Sequence, residues 1–213
     1  MSHLPYAFGP RKKRKGEQGM KYWIMPYAFG LDKDGTPDAE ARARMDKALA
    51  IVSDKSYLDA PSIFLGAGMQ ECAQSRGAIS LSDSGVKYLE MRGLSKHRIG
   101  VDARGWNTVT ETYALYGYFK DVERNVIIEA ATSWWHVPRV WAVCRIIFGR
   151  PIKVHATRSA HSSFRLLYDI MREVIAFPRS ALMAASIRKK KNEQGDSGLD
   201  SAFRYIKKMA HRL

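Results

Sequence analysis

The chain has 213 residues, with 35 Lys+Arg against 21 Asp+Glu for a formal net charge of +14, and hydrophobic types make up 46% of it. That length and balance suit one buried core with room for an appendage, and no 18-residue run is free of charge, which excludes a transmembrane helix. No long apolar segment follows the basic N-terminus, so it does not read as a secretory signal. Two isolated cysteines, Cys72 and Cys144, exclude a disulfide framework and a zinc cluster. The expectation is a cytoplasmic protein without a metal site.

Most of the basicity lies at the ends. Residues 1–19 carry five basic and one acidic residue, and residues 188–213 carry eight and three. The run Arg11-Lys-Lys-Arg-Lys15 reads as a disordered arm, with contact to nucleic acid or an anionic membrane as the alternative. Pro5-Tyr-Ala-Phe-Gly9 recurs as Pro26-Tyr-Ala-Phe-Gly30, which reads as a local duplication or a translation start placed upstream of Met20.

In chain order, Lys21–Met25 reads as a strand, followed by a turn at Asp32–Pro37 and a helix over 39–52 with apolar residues at three- and four-residue steps. Ser62–Leu65 reads as a buried strand ending in Gly66-Ala-Gly68, then a loop, then a helix over 82–92 stopped by Gly93. A short strand at Ile99–Val101, a helix from Thr108, a central strand from Val126 to Ala131, a helix over 137–148 and a strand at Ile152–Val154 complete the alternation. Strands alternating with helices predict a parallel α/β sheet wound by crossover helices. Phe164–Ala185 is expected to be helical but interrupted at Pro178, Lys189–Gly198 to be a polar linker, and Leu199–Leu213 a basic helix.

Ligands of open parallel sheets gather at the C-terminal strand ends, where loops lead into helix N-termini. Asn107 or Thr108 can cap the helix that follows, and Glu111 then serves either that cap or a proton transfer. Thr132 and Ser133, hydroxyls at the end of a buried strand and the start of a helix, suit a phosphate or carboxylate. His136 and Arg139, three apart, share one face of the first helical turn and offer proton transfer and anion binding. Gly66 and Gly68 match no phosphate-loop or dinucleotide motif. Cys72 reads as an ordinary thiol, with a nucleophile as the sharper alternative, and Cys144 as core.

At these same segments the sequence resembles the YdcF/SanA/ElyC-like family, a bacterial domain of unknown function. The resemblance runs through Asp34-Gly-Thr-Pro37, Arg42–Ala48, Lys87-Tyr-Leu89, Arg92-Gly-Leu94 and Asn107-Thr108 with Glu111 to Thr132-Ser133, His136 and Arg139. The chain departs from the family pattern at Pro26-Tyr27, at Gly66-Ala67-Gly68, near Leu81, where an acidic residue is expected and only Asp83 could substitute, and at Asp102, Gly105 and Thr112. The resemblance implies a three-layer Rossmann-like sheet over residues 20–187, with 188–213 as linker and terminal helix, and a pocket lined by Arg44, Gly66, Gly68, Asn107, Thr108, Thr132, Ser133 and Arg139. Many relatives are membrane-anchored and linked to the cell envelope.

Three functions follow as expectations. One is an enzyme of transferase or hydrolase type acting on a small anionic or nucleotide-like ligand, with Glu111 and His136 moving protons. Another is a non-catalytic ligand-binding or envelope-associated scaffold. The last is nucleic-acid binding through the basic termini.

Overall fold

The computed structural model describes residues 21–27, 30–55, 58–71, 78–119, 126–158 and 163–210, so the basic arm at 1–19 and Cys72 lie outside the described residues. The elements run β1 (Lys21–Pro26), α1 (Ala39–Asp54), β2 (Asp59–Ala67), β3 (Met69–Glu71), β4 (Ala78–Ser80), α2 (Leu81–Met91), β5 (Ile99–Gly105), α3 (Thr108–Phe119), β6 (Val126–Ser133), α4 (Val137–Phe148), β7 (Lys153–Thr157) and α5 (Ser163–Ala210). Short 3₁₀ turns precede β5 and α4.

Five strands form one parallel sheet in the order β5-β2-β1-β6-β7. The chain winds outward from β1 in one direction, then returns to its other side through β6. That reversal between β1 and β6 is the topological switch point of a Rossmann-like α/β fold. The pleat then sorts the core into two layers, because successive side chains point to opposite faces. Tyr22, Ile24, Ile63, Leu65 and Ala131 face α1 and α2, against Met45, Ala48 and Leu89. Met25, Phe64, Ile128 and Ala130 face α3 and α4, against Leu115, Phe119, Val140 and Cys144. The expected three-layer architecture is the observed one.

Local chemistry sets the helix ends. Asp38 caps α1, its Oδ1 accepting from the Ala41 N–H at 2.7 Å, and Ser80 caps α2 by accepting from Asp83 N–H at 3.2 Å. Gly149 ends α4 at φ 72°, a left-handed conformation that a Cβ would disfavour.

Two expectations give way. The segment after Gly68 contains an antiparallel hairpin, β3 with β4, where a loop was expected. Three-residue strands are too short to show a period, so nothing in that stretch marks them. The C-terminal region is a single helix: neither Pro178 nor the polar run from Lys189 to Gly198 breaks α5. Pro178 deprives the Val174 carbonyl of its helical donor, but both residues sit on the exposed side, where water replaces it. On the other side Ala184 and Ile187 pack with Val109, Tyr113, Val143 and Ile147, which anchors the helix beyond the proline. Lys189–Lys191, Glu193 and Gln194 are of types that lose little rotamer freedom in a helix and carry it on from that anchor, and Gly195 and Gly198 do not end it. Among the described residues no helix is long and apolar enough to cross a membrane.

Candidate functional site at the sheet switch point

The N-terminus of α3 resolves the two readings of Glu111. Asn107 is the cap: its Oδ1 accepts from Thr110 N–H at 3.0 Å. Thr110 answers in the manner of a capping box, its Oγ1 accepting from the N–H groups of Trp106 at 3.0 Å and Asn107 at 3.1 Å. Thr110 therefore completes the cap, and Glu111, one position on, is 3% exposed. Glu111 lies under Gly105, where a Cβ would stand 2.6 Å from its Cγ, and its charge favours the protonated forms of both Arg44 and Arg139.

Arg44 reaches across the switch point from α1. Its Nε and Nη2 donate to Ser133 Oγ at 3.0 and 2.8 Å, and Nη1 donates to the Tyr27 carbonyl at 2.7 Å. Glu40, one turn earlier, accepts from Ser133 Oγ and stands 3.6 Å from the guanidinium. Trp135 lies 5.6 Å beneath the same guanidinium. Burial pushes the Arg44 pKa below its ordinary value, opposed by Glu40, Asp38 and Glu111. Arg44 therefore ties the ends of β1 and β6 together, its donors directed at the protein itself.

His136 is fully enclosed at the start of α4. Its Nε2 is 3.2 Å from Thr108 Oγ1, and its Nδ1 is 3.0 Å from Glu173 Oε2 on α5 and 3.1 Å from Arg139 Nη2. Arg139 Nη2 also donates to Glu173 Oε1 at 2.7 Å. Nδ1 can donate to the carboxylate or accept from Arg139, not both. A proton on Nδ1 gives Glu173 Oε2 a donor in place of none, and lets Nε2 accept from the Thr108 hydroxyl, so the network assigns that tautomer. Burial drives the His136 pKa down to about 4, with Arg139 and Arg44 adding to the effect against Glu173. The ring is neutral at pH 7. Burial opposes ionisation of Glu173, but the His136 hydrogen bond and the Arg139 and Arg172 charges outweigh it and hold its pKa below the ordinary range.

The structure thus gathers Arg44, Asn107, Thr108, Glu111, Thr132, Ser133, His136 and Arg139 around the ends of β1, β6 and the starts of α3 and α4. Gly66 and Gly68 have a packing reason to be glycine: a Cβ on Gly66 would stand 2.8 Å from Met25, and one on Gly68 2.8 Å from the Gly105 carbonyl. Glu173 and Tyr27 were missed by sequence reasoning. Tyr27 fills the crevice on the α3–α4 side, its hydroxyl 2.8 Å from Thr112 Oγ1 and 3.1 Å from Cys144 Sγ. Tyr27 and Thr112, far apart in the chain, therefore meet each other. Glu173 carried no local signal beyond being an acid in an amphipathic helix.

Two buried donors of the segment 132–139, Thr132 Oγ1 and Trp135 Nε1, have no hydrogen-bond partner among the described residues. Both come from one strand–turn–helix, on which Arg139 keeps 14% of its side chain open to solvent. Elsewhere on the sheet, Glu129 accepts from His155 Nε2 and pairs with Lys55 Nζ at 4.0 Å, a cluster on the α1 face closed upon itself.

No protein-family model, curated protein or solved structure matches the chain. The class that fold and geometry define is a Rossmann-like α/β protein with a polar, largely enclosed centre at its switch point.

Proposed function

We propose that the protein is an enzyme of transferase or hydrolase type, akin to the YdcF/SanA/ElyC-like family, that takes a small anionic or nucleotide-like ligand at the ends of β1 and β6. The observation that carries this reading is the pair of unengaged donors on Thr132 and Trp135 with the Arg139 guanidinium on the same segment, since donors without partners at a helix start complement a ligand rich in acceptor oxygens. Arg139 Nη1 and Thr132 Oγ1 hold the anion, and Arg44 holds the two strand ends in register.

His136 supplies the chemistry. A neutral imidazole whose Nδ1–H is held by a carboxylate accepts a proton at Nε2, the arrangement of a general base with its orienting acid. The Thr108 hydroxyl, already at Nε2, hands over or relays that proton. Glu111 balances the two guanidiniums and takes no proton in this reading.

Binding is tested by thermal shift with inorganic phosphate at fixed ionic strength. The expected result is a rise in Tm for the parent that Arg139→Gln and Thr132→Val reduce; equal rises in all three proteins refute the site. Turnover is tested by incubating the protein with nucleoside phosphates and phosphomonoesters and following phosphorus NMR, with His136→Asn as control. Phosphate binding without turnover of any compound favours the non-catalytic ligand-binding reading, for which the closure of Arg44 on Ser133 and Tyr27 is the supporting observation.

A further inference from the structure

Helix α5 is amphipathic in the reverse sense for a surface helix. Between Phe164 and Leu182 its acids face the body, Asp169 being 2% and Glu173 6% exposed, while most of its large apolar residues face outward. Phe164 is 86% exposed and Ile175 75%, and Leu167, Tyr168, Met171, Val174 and Leu182 are exposed beside them. Three- and four-residue steps put these side chains on one stripe, about 27 Å long at a rise of about 1.5 Å per residue. Single exposed apolar residues need no explanation, but a continuous stripe marks a surface that is covered in use.

Charge decides what covers it. Arg165, Arg172 and Arg179, seven apart, run along one flank of the stripe, and Arg188 to Lys191 follow at its C-terminal end. Between Ser163 and Lys191 the only acids are Asp169 and Glu173, both buried, with Asp169 3.8 Å from Arg165 Nε and 4.0 Å from Arg172 Nη2 at the inner edge of that flank. Over the stretch from Ser163 to Lys191 a second copy of the helix would bring arginine rows together with no exposed carboxylate on either to receive them. An anionic bilayer offers what the stripe lacks: an apolar boundary for the side chains and phosphates for the arginines.

We propose that the outer face of α5 lies in the interface of an anionic membrane, with Phe164 to Leu182 at the headgroup–acyl boundary and Arg165, Arg172 and Arg179 on lipid phosphates. Docking leaves the inner face untouched, so the ion pair of Glu173 with Arg139 persists on the membrane. The proposal does not depend on the reaction assigned to the site.

The test is co-sedimentation of the full chain with vesicles of phosphatidylcholine alone and of phosphatidylcholine with about 30% phosphatidylglycerol. The expected result is binding to the anionic vesicles only, reduced roughly tenfold or more both in Leu167→Gln/Met171→Gln/Ile175→Gln and in Arg165→Gln/Arg172→Gln/Arg179→Gln. Ile175→Gln alone, at a fully surface position, is the fallback where a triple variant melts early, with a smaller loss in the same direction. Absence of binding by the parent overturns the proposal. So does unchanged binding by the apolar variant, which would place the contact in the basic termini, and so does equal binding to neutral vesicles. A dimer in sedimentation velocity that the apolar variant abolishes also overturns it, in favour of a second copy.

Discussion

Glu173 on α5 meets His136 on the turn before α4 at 3.0 Å, Oε2 to Nδ1, and so joins the long C-terminal helix to the centre of the sheet. Through Arg139, 2.7 Å from its other oxygen, the same carboxylate also balances a guanidinium. Removing one member of a buried pair leaves the other charge uncompensated. Glu173→Gln should therefore destabilise by about 3 kcal/mol, which lowers Tm by roughly 6–12 °C in a chain of this size. The double variant Arg139→Met/Glu173→Met should melt closer to the parent than Glu173→Gln does. A Glu173→Gln protein melting within roughly 2 °C of the parent would show that the pair contributes no net stability.

Stability should fall on mild acidification through His136. The folded protein keeps the ring neutral down to about pH 4, whereas the free side chain protonates at 6.5. Between those values the unfolded chain binds the extra proton. The contribution is thus complete above pH 6.5 and is lost as the pH drops to about 4, on the order of 3 kcal/mol. Urea unfolding of the parent and His136→Gln across this range checks it: the difference between the two curves should shrink steadily toward pH 4. Parallel curves would mean that the ring is not held neutral.

Two glycines separate packing from propensity. A Cβ on Gly105 would run into the Gly66 carbonyl and stand 2.9 Å from the Glu111 Cα, both backbone atoms that cannot swing aside. Gly105→Ala should lower Tm and, by moving Glu111, reduce the phosphate-dependent shift as well. Gly117 in α3 meets nothing closer than 3.8 Å, so Gly117→Ala should stabilise by up to about 1 kcal/mol. Thermal melts of both proteins decide the matter, and a Gly105→Ala protein as stable as the parent would contradict the observed β2–β5 approach.

Cys144 should be inert while the protein is folded. Burial pushes its thiol up to about 12, and Tyr27 closes over it at 3.1 Å. Iodoacetamide at pH 8 should leave Cys144 unmodified in native protein and alkylate it in denaturant, as read by peptide mass spectrometry. Native modification of Cys144 at the denatured rate would show that the α3–α4 layer opens readily.

The sequence by itself determined the elements whose signal is local. β1, β6, α1 and α4 are legible because a buried strand needs an apolar run and a packed helix needs apolar residues at three- and four-residue steps, whatever lies beside them. The placement of Asn107, Thr132, Ser133, His136 and Arg139 at strand ends and helix starts was legible for the same reason. Only the tertiary structure decided partners. Whether Glu111 or Thr110 completes the α3 cap turned on a single residue of phase. Whether Arg44 faces a ligand or Ser133 depended on a strand far along the chain. Glu173 reads as one acid among the charged residues of a long helix until α5 packs across α3 and α4. A pairing between remote segments leaves no period in either of them; it exists only after both have been brought to the same end of the sheet.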